Sequence, residues 1–214
     1  MSLEGEQFVA TRSIPLICHP ATPCAAVSCI EVQASRTHDG TLDIRYNVRG
    51  DIDSLLIPAE RAPRRADGLW QHTCFEAFVA SPASAGDAGY CEFNFSPSTE
   101  WAIYRFTAYR EGMTPVQATP PPISVYRDVT SVTLAAAVRL DAFAVLGDRL
   151  QLALSAVIED AQHCLSYWAL AHPLGKPDFH HAAGFALELP GDNSREPSSV
   201  SVPNGRAKPA VKRK

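Results

Sequence analysis

Strand-like alternation between residues 69 and 113 constrains this chain more than any other feature it has. In CFEAFV, Phe75, Ala77 and Val79 fall on one side and Cys74, Glu76 and Phe78 on the other; in YCEFNF, Cys91, Phe93 and Phe95 oppose Tyr90, Glu92 and Asn94. The intervening SPASAGDAG is turn chemistry, so the two runs are expected to pair as a hairpin that lays Glu76 near Glu92 or Asn94. A carboxylate at mid-strand is costly to bury without solvent or a partner. The face carrying Glu76, Glu92 and Asn94 is therefore expected to line or flank a polar cleft, with Arg105 as a candidate cation for it.

Similar alternation recurs along the chain. Val27 and Cys29 begin one run; Leu42, Ile44, Tyr46 and Val48 make a second; Val132, Leu134, Ala136 and Val138 a third; Leu150, Leu152, Leu154, Ala156 and Ile158 a fourth. HDG, RGD, LGD and EDAQH separate the runs and are ordinary turn formers. The proline-rich TPVQATPPP cannot sit in a central strand and predicts an extended surface connection. Helical periodicity is confined to a short piece at 140–146 and another near 54–61. The pattern predicts an all-β fold, an antiparallel two-sheet β-sandwich of the immunoglobulin-like or jelly-roll type with few short helices.

A chain of 214 residues has room for one good-sized core. Residues 1–190 are expected to form it. Residues 191–214 carry six basic side chains against two acidic ones, a net of +4 in a chain of net −4, which leaves −8 on the body. That segment has too little apolar content to pack and reads as a disordered basic tail. An acidic body is a poor surface for nucleic acid. The start lacks a basic stretch followed by an apolar run, and no stretch approaches the ~20 apolar residues of a membrane span, so a cytoplasmic, membrane-free protein is expected. The six cysteines are then expected to be reduced.

The sequence contains no P-loop, no G-x-G-x-x-G, no G-x-S-x-G and no H-E-x-x-H. Ser166, Asp178 and His180 are the residue types of a hydrolytic triad but come without an elbow. Glu76 and Glu92 are the types of a glycosidase pair. His172, Asp178, His180 and His181 crowd one loop, where zinc is weighed against plain loop geometry and the latter preferred. No enzymatic activity and no bound metal are expected.

Each of the three tryptophans has polar neighbours: Gln71 and His72 beside Trp70, Glu100 and Arg105 near Trp101, Tyr167 and His172 near Trp168. A flat indole can cover the apolar side of a sugar ring while acids and amides hold hydroxyls. Trp70, Glu76, Phe78, Tyr90, Glu92, Phe93 and Asn94, with Trp168 and the run Pro177, Asp178, Phe179 and His180, resemble the DOMON-like and family 9 carbohydrate-binding-module-like group of β-sandwich domains over about residues 10–190. The resemblance implies non-catalytic binding of a small ligand, a saccharide or sugar-derived metabolite, with Trp70 and Trp168 matching two rings that sandwich a terminal sugar. Trp70, His72, Glu76, Glu92, Asn94, Arg105, Trp168, His172 and Lys176 are the candidate ligand-binding residues. The same resemblance brings in a haem-binding electron-transfer alternative, for which Met113 is the one internal methionine. A third alternative is a protein-interaction module whose tryptophan-lined face meets a partner.

Overall fold

The computed structural model describes residues 13–82, 89–143 and 149–190. Among the described residues twelve strands follow one another: β1 (Ile14–Cys18), β2 (Val27–Arg36), β3 (Thr41–Gly50), β4 (Cys74–Ala80), β5 (Tyr90–Phe95) and β6 (Trp101–Phe106), then β7 (Thr114–Pro115), β8 (Ile123–Arg127), β9 (Ser131–Arg139), β10 (Leu150–Glu159), β11 (Leu165–Ala169) and β12 (Leu187–Leu189). The alternating runs all become strands, because period-two apolar spacing buries one face of each. CFEAFV and YCEFNF do form an antiparallel pair; the centre of their connection lies outside the described residues, as do residues 144–146 and the segment 191–214. Of the expected helical stretches, the first begins with a 3-10 turn at Leu140–Ala142; in place of the second, a 3-10 turn at Ile52–Ser54 precedes residues 55–61, which are not helical. Of the proline-rich run, Thr114 and Pro115 form a two-residue edge strand on β6.

The strands form one continuous antiparallel path, β7-β6-β5-β4-β10-β11-β1-β2-β3-β9-β8, with β12 on the edge of β10. β1 is the link between its halves. Ile14, Pro15 and Leu16 pair with Val32, Glu31 and Ile30 of β2, while Ile17 and Cys18 pair with Ala169 and Trp168 of β11. The sheet curls at this strand so that both halves contribute to one core: Ile30, Val32, Tyr46 and Val48 from one side, Phe75, Val79, Phe93 and Phe95 from the other. Tyr46 shows how close they come, its hydroxyl donating to the Glu76 carbonyl at 2.6 Å from a fully buried position.

β3 has the alternating burial of a strand with one face in the core, but β4 and β5 are buried on both faces. Their outward residues lie in a second apolar cluster of Leu69, Cys74, Phe78, Tyr90, Ala102, Tyr104, Phe106 and Ala153, against which Ala66, Phe179 and Phe185 pack. This covered outer face positions the site.

Gly50 closes β3 where the chain passes Ala26. Its φ is +156°, and a Cβ there would stand 2.0 Å from the Ala26 carbonyl oxygen, which already accepts the Asp51 N–H. Gly50→Ala is expected to cost about 2 kcal/mol through this clash and the unfavourable φ. Urea unfolding checks it, and a loss under about 0.5 kcal/mol would mean that the Ala26 strand end moves aside freely.

Candidate functional site

The outer faces of β4, β5 and β6 form the floor of a cleft. Register puts Glu76 opposite Asn94 on β5 and Ser155 on β10, and Glu92 opposite Phe78 and Tyr104. Glu76 and Glu92 are thus diagonal neighbours on one face, with side chains rooted roughly 7 Å apart. A cavity of about 480 Å³ lies over them, lined by Trp70, Glu76, Glu92, Phe106, Arg110, Met113, Val157, Tyr167, Pro177, Phe179 and His180. Trp70, 38% exposed, stands in a 3-10 turn (Leu69–Gln71) with its indole edge-on to Tyr104 at 5.9 Å. Phe106 and Tyr90 stack at 4.8 Å, and the His180 ring meets both edge-on.

One hydrogen-bonded chain fixes the polar groups. The Arg110 N–H donates to the Tyr90 hydroxyl oxygen at 3.2 Å, and that hydroxyl lies 2.7 Å from His180 Nδ1. A hydroxyl has one proton and two acceptor lone pairs, so Tyr90 can serve His180 Nδ1 in either sense, and His180 Nε2 faces Glu92 Oε2 at 3.8 Å. Glu92 Oε1 accepts from Asn94 Nδ2 at 2.7 Å, and Asn94 is fully buried. Over the cavity, Arg110 Nη2 donates to Asp178 Oδ1 at 2.7 Å; the Tyr109 hydroxyl and the His180 N–H also donate to the Asp178 carboxylate. The 107–113 and 173–181 segments are clamped together by that carboxylate.

Burial sets the charge states. Glu76, 3% exposed, has its carboxyl pushed well above the usual range by loss of water, with Glu92 adding to the shift and Arg110 opposing it. Burial also raises Glu92, against the Asn94 hydrogen bond and the Arg110 charge. Two acids side by side and out of water favour the state in which one keeps its proton. Among the described residues no hydrogen-bond donor reaches the Glu76 carboxyl, which leaves it to whatever occupies the cavity. His180 is pulled down to about 4 by burial and by Arg110, with Asp178 opposing, so it is neutral at pH 7. Burial raises Tyr90 to about 12, which keeps it a phenol.

Of the residues expected from the sequence, Trp70, Glu76 and Glu92 line this cavity and Asn94 lies beside it, holding Glu92. The others are elsewhere. Trp168 pairs with Ala156, points into the main core and donates from Nε1 to Ser166 Oγ at 3.0 Å, so it lies on the opposite face of the sheet from Trp70. The two indoles cannot sandwich one ring. Arg105 shares its strand face with the core residues Trp101 and Ile103, and it is Arg110 that stands over the carboxyl pair. His72 is bound to Glu159 at 2.7 Å, and His172 donates from Nε2 to the Ile17 carbonyl at 2.8 Å. Lys176 lines an adjoining groove.

Phe106, Arg110, Met113, Val157, Tyr167, Pro177, Phe179 and His180 also line the cavity and were not among the expected ligand-binding residues. Of these, the sequence marks Tyr167 as a neighbour of Trp168; Pro177, Phe179 and His180 as part of the run that carries the resemblance; Met113 for haem; and His180 also as a triad or zinc candidate. Neither role fits. Ser166 donates to the Ile158 carbonyl on the core side, while the His172 ring is bound to the Ile17 carbonyl, Asp178 to Arg110, the His180 ring to Tyr90 and the His181 ring to the Ala183 N–H. Among the described residues no group of three or more His, Cys, Asp or Glu could hold a metal ion. Met113, the residue of the haem alternative, does line the cavity together with His180.

No family model matches the chain, and no curated protein matches it. Among solved structures it is similar to a carbohydrate binding module family 9 from Caldicellulosiruptor kristjanssonii in complex with glucose, at 10% identity and a TM-score of 0.48, over 89% of this chain and 91% of that one. A family 9 module from the same organism in complex with cellotriose matches at 11% identity and a TM-score of 0.46, over 92% and 89% of the two chains. At this likeness neither ligand is carried over to this protein. No helix among the described residues is long and apolar enough to cross a membrane.

Proposed function

We propose that this chain is a non-catalytic binding domain for a small polyhydroxylated ligand, a saccharide or sugar-derived metabolite. One observation carries the reading: a cavity with a buried carboxyl pair at its floor, walled by Trp70, Phe106, Tyr167 and Phe179. A protonated acid beside an ionised one both donates to and accepts from hydroxyls, while the rings cover apolar C–H surface. Absence of catalysis is favoured by the placement of the acids. Glu76 and Glu92 rise from adjacent strands on one sheet face and approach a ligand from the same side. Glycoside hydrolysis needs its two carboxyls flanking the scissile bond. The curled sheet, with two halves facing across one core and β1 shared between them, is compatible with a two-sheet sandwich of the DOMON-like, family 9 type.

Tryptophan fluorescence titrated against a panel of monosaccharides and short oligosaccharides tests the reading. Affinities between micromolar and millimolar, about −8 to −4 kcal/mol, are expected for a ligand with few apolar atoms. Trp70→Ala is expected to weaken binding about tenfold, corresponding to a loss of roughly 1.4 kcal/mol. Its affinity is read by calorimetry, since the variant lacks the reporter ring. If the variant binds like the parent, or no sugar perturbs the emission of the parent, the cavity is not a saccharide site.

A further inference from the structure

The cavity continues past Arg110 and Pro177 into a second groove of about 630 Å³, lined by Arg110, Pro173, Leu174, Lys176, Pro177, Asp178 and His181. Its polar lining consists of donors and one carboxylate already in use. Asp178 accepts from Tyr109, from Arg110 Nη2 and from the His180 N–H, and so has little left to offer a ligand. Arg110 has a planar fork of five N–H donors, more than Asp178 and the nearby Tyr109 hydroxyl take up. His181 accepts the Ala183 N–H at Nδ1, which puts the proton of its neutral ring on Nε2. Lys176 adds an ammonium. Charge in the groove is thus two fixed cations against one anion.

Arg110 is also held in place. Its φ is +56°, a region that side chains with a Cβ rarely occupy, and the loop keeps it there through its N–H to Tyr90 and its side chain to Asp178. Backbone strain of this kind persists only where its surroundings over-determine it. The guanidinium consequently stands at the border of the two spaces, with the carboxyl floor on one side and Lys176 and His181 on the other.

We propose that this groove is an anion subsite, and that the ligand of the cavity is an anionic sugar whose hydroxyls meet Glu76 and Glu92 while its phosphate or carboxylate reaches Arg110, Lys176 and His181. The ligand class rests on the saccharide reading above; the anion subsite itself does not. An anion that offers two oxygens side by side suits the planar Arg110 fork, and both phosphate and carboxylate do so.

Calorimetric titration with glucose, glucose 6-phosphate and glucuronate separates the arms. The two anionic sugars are expected to bind at least tenfold more tightly than glucose, and the tighter of the two identifies the anion. Lys176→Ala, a change at an exposed side chain, is expected to cut that preference to threefold or less. Equal affinity for all three sugars would overturn the subsite and leave the saccharide reading standing. Inorganic phosphate alone, followed by amide NMR shifts, reads the groove without any sugar. Shifts confined to residue 110 and residues 173–181, lost in Lys176→Ala, with no sugar bound, would support the subsite and sink the saccharide reading. Phosphate that moves none of these amides, with no sugar bound, would overturn both.

Discussion

Replacing Phe75 by alanine should destabilise the fold by about 3–5 kcal/mol, the range for truncating a buried aromatic ring. Phe75 is fully buried on β4 and packs against Tyr46 of β3 with ring centroids 5.0 Å apart. These rings belong to opposite halves of the curled sheet, so the lost volume opens where the halves meet and neither can collapse into it without moving its own ladder. The Tyr46 hydroxyl, bound to the Glu76 carbonyl, would lose its lateral support at the same time. For a domain of this size the melting temperature should fall by roughly 6–20 °C. Phe75→Leu, which keeps most of the volume, should cost less than half as much. A loss under about 1 kcal/mol for the alanine variant would mean that the halves are not held together at this contact.

Phe75 and Glu76 also mark how far local pattern reaches. Period-two alternation in CFEAFV and YCEFNF puts Glu76, Glu92 and Asn94 on one face, and a hairpin needs no distant information to pair them. The polar floor was legible for that reason. Trp168 and Arg105 show where local reading stops, because a side chain's face depends on the neighbouring ladder. Leu152, Leu154, Ala156 and Ile158 point inward, and the hairpin at EDAQH places Trp168 opposite Ala156. Counting back through that hairpin would have turned Trp168 into the core. Arg105 lies two residues after Ile103 and four after Trp101, so the same alternation assigns it to their face rather than to that of Tyr104. Arg110 carried no such signal. It follows β6 in a loop with no repeat, and what fixes it is Asp178, 68 residues further along the chain. The covering of β4 and β5 is equally non-local, since Phe179 and Phe185 arrive from beyond β11 to close a face that alternation alone leaves open.

A distinct pH effect should come from His180. In the folded chain its imidazole is held near 4, against an ordinary value of 6.5, by burial and the Arg110 charge. Above pH 6.5 the ring is neutral in both folded and unfolded chains and contributes no pH dependence. As pH falls from 6.5 towards 4, the unfolded chain takes up a proton that the folded chain refuses, so folded-state stability is lost across that window and the loss levels off below it. With the side chain only 14% exposed, little solvent screening reduces the effect, which amounts to about 3 kcal/mol. Glu76 and Glu92 work in the opposite sense. Their folded carboxyls hold protons above the ordinary value, so their contribution is fully present in acid and is lost as pH rises through the raised range. The two trends oppose each other between about pH 4.5 and 6.5, and the parent curve alone would not separate them. Difference measurements do. Glutamine at position 180 keeps an acceptor for the Tyr90 hydroxyl but does not titrate, so in urea unfolding the stability of His180→Gln relative to the parent should improve by up to about 3 kcal/mol from pH 7 to pH 4. Glu76→Gln should improve relative to the parent in the other direction, as pH is raised from 5 to 8. A His180→Gln difference that stays constant across the acid range would show that the imidazole is as readily protonated in the folded chain as in water, and the neutral His180 of the cavity would fall with it.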